Sequence, residues 1–290
     1  MGHPESPARV EAVVARLRAD GVIRETIAAR NATDEELLRV HAPAYLELVK
    51  RETADLRSTR YLSTGDVLVG AKSLGVARRA AGGAVVAVEA CEAGCEAVFA
   101  LVRPPGHHAE PDRGMGFCIF NNVAVAARAY RARCGGRVLV VDFDYHHGNG
   151  TEVVTGDGLS YVSTHAAPAY PGTGGKSYYV GTDAVVNVPL PAAGVSTEEF
   201  VTTWEALLPE VAAAVNPDLL IVSAGFDYVA GDPVGDLGVG VEAAASLAAV
   251  VAATAARHCA GRVAYVLEGG YVLDAIASSV AQIAAIHPGR

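Results

Sequence analysis

Acidic and histidine side chains alternate directly after an apolar segment near the middle of the chain. Residues 142–150 read Asp-Phe-Asp-Tyr-His-His-Gly-Asn-Gly, and they follow the β-type run 137–141. Because side chains alternate between the two faces of an extended chain, Asp142, Asp144 and His146 are expected to point the same way. Carboxylate oxygens combined with an imidazole nitrogen suit a borderline divalent metal such as zinc. The spacing therefore predicts a metal site at the end of a strand.

The histidines are concentrated in the same part of the chain, which argues against isolated structural roles. Five of the nine lie close together in the sequence, namely His107, His108, His146, His147 and His165. A catalytic zinc takes three protein ligands and keeps one position open. Asp227 ends an apolar run and precedes a glycine-rich loop, so it is the best candidate for a third ligand beside Asp144 and His146.

A shell of two aspartates and one histidine is more anionic than three histidines, and it would leave the metal a weaker Lewis acid. A separate base should then be needed to activate water, and the adjacent pair His107 and His108 fits that need. Asp142 could orient one of these rings and stabilise its imidazolium form. Tyr271, which follows two glycines, could donate a hydrogen bond to a tetrahedral oxyanion. These residue types together indicate the hydrolysis of an acyl group.

Short apolar runs alternate with helical patterns over most of the chain, which predicts an α/β fold. The β-type runs are 97–102, 137–143, 160–164, 185–188, 219–223 and 263–267. The helical patterns are 73–93, 122–133, 196–215, 241–258 and 272–285. Asn121 and Ser196 are expected to cap two of these helices, the latter within a capping box. The order favours a mostly parallel sheet covered on both faces. Since the reactive residues follow the β-type runs, they should meet at the carboxyl edge of that sheet.

Composition is that of a globular protein and argues against several functions. With 290 residues, of which 51% are hydrophobic, the chain can form a single catalytic domain over residues 1–290. It has no apolar run long enough for a membrane span and no export signal, so we expect a cytoplasmic protein without a membrane partner. The net charge of −9 disfavours direct binding of nucleic acid and is compatible with a cationic substrate. The sequence leaves the oligomeric state open.

Five ordered motifs resemble the zinc-dependent histone deacetylase family, which includes acetylpolyamine amidohydrolases and related bacterial deacetylases. They are RPPGHHAE at 103–110, GFCIFNN at 116–122, DFDYHHGNGTE at 142–152, SAGFD with GDP between 223 and 233, and EGGY at 268–271. The segment HPESPAR at 3–9 is similar to the family's first motif, so the resemblance covers nearly the whole chain. It implies an arginase-like open α/β fold with a central eight-stranded, mostly parallel sheet. Family members usually have a β-strand before this segment, and we expect that strand to be missing or displaced here.

The resemblance implies a role for each reactive residue. The zinc ligands would be Asp144, His146 and Asp227. His108 would act as general base and acid, while His107, paired with Asp142, would give electrostatic help. Tyr271 would polarise the acyl carbonyl. The acyl group would be carried by a lysine peptide or by a small amine.

The resemblance also implies a tunnel for the acylated side chain and a structural potassium ion. Phe117 and Tyr170 would form the aromatic walls of the tunnel, next to Gly116 and Gly269, with Tyr170 in place of the commoner phenylalanine. The potassium ion would take the Ser163 hydroxyl and the main-chain oxygens of Asp142, Asp144, His146 and Thr164. Such a cation would offset the nearby carboxylates.

Asn149 and Val234 stand at two positions where members of the family differ. His147 and Asn149 would support the site from behind. Asn149 stands where class I members carry an aspartate. This is a class II-like pattern, and a neutral partner should leave His108 less basic. Val234 stands where a polyamine-selective relative carries an acidic residue. An apolar side chain cannot pair with a distant ammonium, which argues against selectivity for acetylspermidine-type substrates.

The favoured function is a zinc-dependent amidohydrolase that removes an acetyl or short acyl group from a lysine side chain or a small amine. One alternative is a small-molecule deacylase that acts on an acylpolyamine or a secondary-metabolite precursor. Another is a homologue that binds acyl-lysine without catalysis. A ureohydrolase with two manganese ions would need Asp-x-His-x-Asp, whereas residues 142–147 read Asp-x-Asp-x-His-His. Metal content separates the classes, since they require one zinc, none, or two manganese ions.

Overall fold

The computed structural model describes residues 2–23 and 25–287. A small antiparallel hairpin, β1 (Arg60–Tyr61) and β2 (Leu68–Val69), lies apart from the main sheet. The strands of the main sheet are, in chain order, β3 (Ala97–Ala100), β4 (Val138–Asp142), β5 (Leu159–Ala166), β6 (Tyr178–Val180), β7 (Asp183–Leu190), β8 (Leu219–Ala224) and β9 (Val263–Leu267). All six β-type runs predicted from the sequence are strands of this sheet.

The main sheet has the order β3-β9-β8-β4-β5-β7-β6, and every pair in it is parallel except the edge pair β6 and β7. The mostly parallel α/β fold is therefore confirmed. The number of strands differs from the expected eight, because the described residues form seven. The sheet ends at β3, whose outer side pairs with no strand in residues 2–23 and 25–287 and whose side chains are half-buried.

Helices cover both faces of the sheet. They are α1 (Pro7–Ala19), α2 (Asp34–Leu38), α3 (Pro43–Thr53), α4 (Ser73–Glu92), α5 (Asn122–Cys134), α6 (Asn149–Val153), α7 (Thr197–Val215), α8 (Ala243–His258) and α9 (Leu273–Ile286). Among the described residues, no helix combines the length and the apolar character that a membrane crossing requires. The five helices predicted from the sequence are present, whereas α1, α2, α3 and α6 lack a strong apolar repeat and were not predicted.

The central strands are buried on both faces, which is why their sequences are almost continuously apolar. On β4, Leu139 and Val141 belong to the core that α1, α7, α8 and α9 close, whereas Val138 and Val140 belong to the core under α3, α4 and α5. Two separate apolar cores thus sandwich the sheet. This packing fixes the register of the strands, since a shift of one residue would exchange the two faces.

Side-chain caps begin two of the predicted helices as expected. Asn121 Oδ1 accepts the N–H of Ala124 at 3.0 Å at the start of α5. Ser196 Oγ accepts the N–H of Glu199 at 3.1 Å at the start of α7, but among the described residues the Glu199 side chain does not return the bond that would complete the predicted capping box. His41 supports the α5 cap from the other side, because its Nε2 accepts the N–H of Asn121 at 2.9 Å.

The parallel register brings the ends of four strands together. Asp142, the last residue of β4, pairs with Ser163 of β5 on one side and with Ser223 of β8 on the other. Ala224, the last residue of β8, pairs with Leu267, the last residue of β9. The loops that follow these strands therefore leave the sheet at one edge, and they carry the residues described next.

Candidate active site

Three predicted ligands converge at the carboxyl edge of the sheet. His146 Nδ1 lies 2.9 Å from Asp227 Oδ2 and 3.2 Å from Asp144 Oδ1, and one ligand atom from each of the three residues lies within 4.8 Å of the others. Atoms bound to a tetrahedral zinc at about 2.0–2.1 Å are separated by about 3.3 Å. All three side chains are buried. The donor set and its spacing therefore fit a small dication, as the alternation of residues 142–146 predicted.

Two glycines allow the carboxylates to come this close. A Cβ atom on Gly269 would lie 2.6 Å from Asp144 Oδ2 and closer still to Asp227, and a Cβ on Gly225 would overlap the Asp144 carboxylate. The N–H of Gly269 donates to Asp144 Oδ2 at 2.9 Å. These contacts hold the carboxylates in place from the protein side and explain why glycine is required at both positions.

Without a counter-ion, the ligands would be costly to bury, and their pKa values reflect that cost. Burial and the neighbouring Asp144 raise the pKa of Asp227 to about 6. Burial lowers the pKa of His146, but its hydrogen bonds to Asp144 and Asp227 outweigh this effect and raise it to about 10. The two carboxylates share one imidazole cation as their only partner of opposite charge in this cluster. A bound dication would offset the repulsion between them.

His107 is held by a carboxylate behind the site. Its Nδ1 lies 3.1 Å from Asp142 Oδ2, and the same oxygen accepts the hydroxyl of Tyr161 at 3.2 Å. Burial lowers the pKa of His107, but the Asp144 and Asp142 charges outweigh it and raise the pKa to about 10. Asp142 therefore holds His107 beside the metal ligands, and its electrostatic role stays a prediction.

His108 has a neutral partner. Its Nδ1 lies 2.9 Å from Asn149 Oδ1, and the Asn149 amide nitrogen donates to Glu110 Oε1 at 2.6 Å. Because Glu110 takes the amide hydrogens, the Asn149 oxygen faces the ring and accepts a hydrogen bond from Nδ1. The other ring nitrogen, Nε2, is then left with a lone pair. The pKa of His108 is well below its usual value, because the ring is buried and lies next to His107. Burial, rather than the neutral partner proposed from the sequence, is the main cause.

Tyr271 enters the site on a turn that a buried carboxylate organises. Asp232 Oδ2 accepts the N–H of Tyr271 at 2.7 Å and that of Val272 at 3.3 Å, while Oδ1 accepts those of Val234 and Gly235 at 2.9 and 3.2 Å. Burial raises the pKa of Tyr271 well above its usual value, so its hydroxyl keeps its proton. In the sequence, Asp232 was singled out only as part of the GDP motif. The structure gives it a contact with the backbone of a predicted catalytic residue.

Arg9 lies beneath the same turn. Its Nε donates to the carbonyl of Gly270 at 2.6 Å, its Nη2 donates to the carbonyl of Glu268 at 2.5 Å, and its guanidinium carbon lies 4.8 Å from the centre of the Tyr271 ring. The Glu268 carboxylate in turn accepts the N–H of Gly106 at 2.6 Å and that of His107 at 3.2 Å. Burial raises the pKa of Glu268 to about 7. This network ties the histidine loop to the tyrosine loop.

These residues surround a pore of about 260 Å³. Ten predicted site residues line it, namely Gly116, Phe117, Tyr170, Gly269, Tyr271, His107, His108, Asp144, His146 and Asp227. Tyr170 meets His108 edge to face with ring centres 5.2 Å apart, and Phe117 meets Tyr271 in the same way at 5.9 Å. The two aromatic residues predicted from the family therefore line the pore, and Val234 lines it as well.

The remaining predicted residues lie behind the pore. His147 Nδ1 lies 2.7 Å from the Thr173 hydroxyl, and its Nε2 lies 2.7 Å from Glu152 Oε2. The Ser163 hydroxyl, a predicted potassium ligand, lies 3.0 Å from His165 Nδ1, and Thr164 next to it is fully buried. The potassium site stays a prediction.

Sequence reasoning missed a residue at the pore entrance and underestimated three around it. Asp66 lines the pore and accepts the N–H of Gly116 at 2.8 Å and the hydroxyl of Tyr170 at 3.1 Å. It follows no strand of the main sheet and belongs to no motif, so no signal in the chain singled it out. Arg9, Asp232 and Glu268 belong to quoted motifs, but only the folded chain shows what they contact.

The fold and the site together define a class of protein. It is an open α/β protein with a buried Asp-His-Asp cluster at the carboxyl edge of a mostly parallel sheet. Two histidines and a tyrosine stand over this cluster, below a narrow pore with aromatic walls.

Comparison with known proteins identifies the family. Residues 3–287 match the histone deacetylase domain, so the chain belongs to the histone deacetylase family. It is 36% identical to Histone deacetylase 15 of Arabidopsis thaliana, over 97% of this chain and 52% of that protein. It is also 36% identical to the histone deacetylase-like amidohydrolase of Pseudomonas aeruginosa, over 93% of this chain and 73% of that protein. The crystal structure of the HDA15 HD domain superposes with a TM-score of 0.91 at 34% identity, covering 99% of this chain and 82% of that one.

The chain spans between 32% and 52% of the length of three of the curated relatives that it matches. Relatives that it covers more fully carry the names deacetylase and amidohydrolase. The family resemblance derived from the five motifs is thus confirmed, and the names agree with the prediction of an enzyme that hydrolyses amide bonds.

Proposed function

We propose that this protein is a zinc-dependent deacetylase that hydrolyses the N-acetyl or short N-acyl amide of a lysine side chain or a small amine. The observation that carries the proposal is the convergence of Asp144, His146 and Asp227 in a pore that His108 and Tyr271 also line. A carboxylate-rich dication site with a neutral imidazole beside it is suited to activate water.

Asp144, His146 and Asp227 would hold the zinc ion, with one position left open toward the pore. A zinc ion bound there would lower the pKa of a water molecule and polarise the acyl carbonyl. The chain supplies no second group of three or more potential ligands among residues 2–23 and 25–287. One dication per chain is therefore expected, which disfavours the ureohydrolase alternative.

His108 would take the proton from the attacking water on Nε2, since Nδ1 already donates to Asn149. As the water oxygen bonds to the acyl carbon and the C–N bond breaks, the same nitrogen gives the proton to the leaving amine. This transfer returns His108 to its neutral form. Burial favours that neutral form, so the base is available before each turnover.

Tyr271 and His107 would stabilise the charge that develops on the acyl oxygen. The Tyr271 hydroxyl keeps its proton and can donate a hydrogen bond to the oxyanion. His107, paired with Asp142 and buried, contributes a positive charge close to the reacting atoms without being consumed.

The pore supports a substrate with a slim carbon chain. Phe117 and Tyr170 provide flat apolar walls, and an aliphatic chain between them would direct its terminal amide toward the metal ligands. Val234 adds an apolar contact and no charge for a second ammonium group. We therefore favour acetyl-lysine in a peptide over an acetylated polyamine, and a metabolite precursor remains the runner-up.

We also propose a structural potassium ion beside Asp142, which ends β4, and Ser163, which lies within β5. The two residues are paired, so a carboxylate-bearing residue and a hydroxyl lie on adjacent strands. Together with the main-chain oxygens of Asp144, His146 and Thr164, they offer only oxygen donors, which suits an alkali cation better than a transition metal.

Two variants and metal analysis test the function. Purified protein should contain one zinc ion per chain by elemental analysis, and it should release acetate from an acetyl-lysine peptide. His108→Ala should lose turnover by about 10²–10⁴-fold and keep its zinc, because only the base is removed. Asp227→Ala should instead lose metal affinity, since two protein ligands remain.

A panel of acetyl-lysine peptides, acetylputrescine and longer acyl-lysines then ranks the substrates by kcat/KM. Full activity in both variants would refute the assignment of the site. Binding of an acetyl-lysine peptide without any hydrolysis by the zinc-loaded chain would favour the non-catalytic alternative.

A further inference from the structure

A second cavity of about 270 Å³ lies next to the catalytic pore, and Phe117 belongs to the walls of both. Its lining includes the apolar side chains Leu68, Val76 and Ile119. Because Phe117 lines both spaces, a substrate whose acyl chain fills the pore would have its remaining atoms close to this second cavity.

Two cationic side chains, Lys72 and Arg103, line the second cavity, and Glu5 is the one carboxylate among its lining residues. Arg103 Nε and Nη2 donate to the Glu5 carboxylate at 2.8 and 2.6 Å, and Arg9 Nη1 lies 3.8 Å from the same group. The single carboxylate of Glu5 thus balances only part of the charge of two guanidinium groups. The surroundings of the second cavity therefore remain positive, although the whole chain carries a net charge of −9.

Lys72 is the cation that a ligand can reach most easily. Its side chain is exposed, and its ammonium group makes no hydrogen bond or ion pair with any residue that the structure describes. An anion could therefore bind its ammonium group without first breaking a bond within the protein. Arg103, which is already bound to Glu5, would add a longer-range attraction.

The pore entrance carries the opposite charge. Asp66 lines the pore but not the second cavity, and its carboxylate is held by the N–H of Gly116 and the hydroxyl of Tyr170. Two neighbouring entrances therefore differ in sign, with an acid on the pore side of Phe117 and a free ammonium on the other side. A substrate with a carboxylate near its acylated chain would be oriented by this polarity.

We propose that the second cavity is a substrate subsite, in which Lys72 binds a carboxylate that the substrate carries outside its acyl chain. The carboxylate could belong to an acidic residue next to acyl-lysine or to the free carboxyl end of an acyl-lysine residue. Leu68, Val76 and Ile119 would contact the carbon atoms between this carboxylate and the acylated side chain. The inference rests on the proposed deacetylase function and specifies the substrate class of the same site.

The test compares matched acetyl-lysine peptides with the zinc-loaded protein. One pair differs only in Glu or Gln beside acetyl-lysine, and a second pair ends in acetyl-lysine as the free acid or as the amide. The carboxylate member of at least one pair should have a kcat/KM higher by about two- to fivefold, as expected for one exposed ion pair. The difference should lie in KM and should decrease at high salt concentration.

Two lysine variants test whether Lys72 causes the preference for the carboxylate peptides. Lys72→Met keeps the aliphatic stem and removes the charge, so the preference should fall to about one. Lys176→Met is the matched control, because Lys176 is also exposed but lines neither cavity. It should keep the preference. Equal kcat/KM values within both peptide pairs, or a preference that survives Lys72→Met, would overturn the inference.

Different outcomes count against the proposed deacetylase function and against the proposed subsite. Hydrolysis of every peptide without any preference would leave the deacetylase function standing and overturn only the subsite. Absence of hydrolysis would count against the proposed function. In that case the affinities of the fluorescently labelled peptides for zinc-loaded His108→Ala, measured by anisotropy, still decide whether Lys72 selects a carboxylate.

Discussion

Asp232→Asn is the change that most directly tests how the chain positions Tyr271, the tyrosine that we propose to be catalytic. The Asp232 carboxylate accepts four backbone N–H groups, two from its own turn and two from Tyr271 and Val272. Asparagine has nearly the same shape but only one acceptor oxygen. If that oxygen keeps the local turn, the new amide nitrogen faces the N–H groups of Tyr271 and Val272. Two hydrogen-bond donors then face each other, and the turn that carries Tyr271 loses the two hydrogen bonds that hold it.

The expected size of the effect follows from these contacts. Two hydrogen bonds to a charged group are lost, each worth about 1.5–3 kcal/mol, so the free energy of unfolding should fall by about 3 kcal/mol or more. Removal of an oxyanion donor costs about 10²–10³-fold in kcat, which sets the upper limit. A displacement of about 1 Å costs about 10²-fold. We therefore expect kcat to fall by about 10- to 100-fold in Asp232→Asn, with KM little changed.

A double-mutant cycle gives the decisive measurement. If Asp232 acts through Tyr271, then Asp232→Asn should reduce kcat in the native chain but not further in a Tyr271→Phe background. Steady-state rates on an acetyl-lysine peptide and zinc content should be measured for all four proteins. Zinc content is expected to remain at one per chain, because Asp232 contacts no ligand atom of the metal site in the hydrogen bonds described above.

Asp183→Asn is the matched control for a general loss of stability. Asp183 is also buried and also accepts a backbone N–H, that of Gly158 at 2.7 Å, but it lies outside the pore. Its variant should lose stability and retain kcat. The reasoning is refuted if Asp232→Asn keeps the native kcat, or if its effect is undiminished in the Tyr271→Phe background.

Three further measurements follow from the structure. A hydroxamate on a slim chain should inhibit competitively and protect the protein against thermal unfolding, since it can chelate a metal with an open position; no effect at high concentration would contradict an open zinc site. Burial lowers the pKa of His41 to about 4 from 6.5, so its neutral form stabilises the fold fully above pH 6.5, and this stability is lost as the pH falls toward 4. Between pH 7.5 and pH 4, protonation of His41 should cost the native protein about 3 kcal/mol of unfolding free energy, and His41→Gln should not show this loss. The stability difference between the two proteins, measured by denaturant titration, should therefore shrink by that amount as the pH falls. A difference that is independent of pH would contradict the assignment. Potassium chloride should raise the melting temperature more than sodium chloride at equal ionic strength, and Ser163→Ala should abolish that advantage if the proposed cation site exists.

Much of the site was predictable from local sequence, because parallel sheets connect strand position to function. The apolar runs of β4 and β8 are fully buried and end where polar residues begin, so both strands could be located together with the ligands that follow them. The helices with strong apolar patterns or capping residues, such as α5 and α7, were equally visible. The short elements were not, since β6 has only three residues and all are exposed.

The alternation of residues 142–146 was enough to predict that Asp144 and His146 share a metal site, because the period of an extended chain is a local property. The roles of Arg9, Asp66 and Asp232 were decided only by the tertiary structure. Arg9 reaches the carbonyls of Glu268 and Gly270 across more than 250 positions of the chain, and Asp66 meets Tyr170 from a separate hairpin. Such contacts depend on how helices and loops pack over the sheet, and no repeat or spacing along the chain encodes that packing.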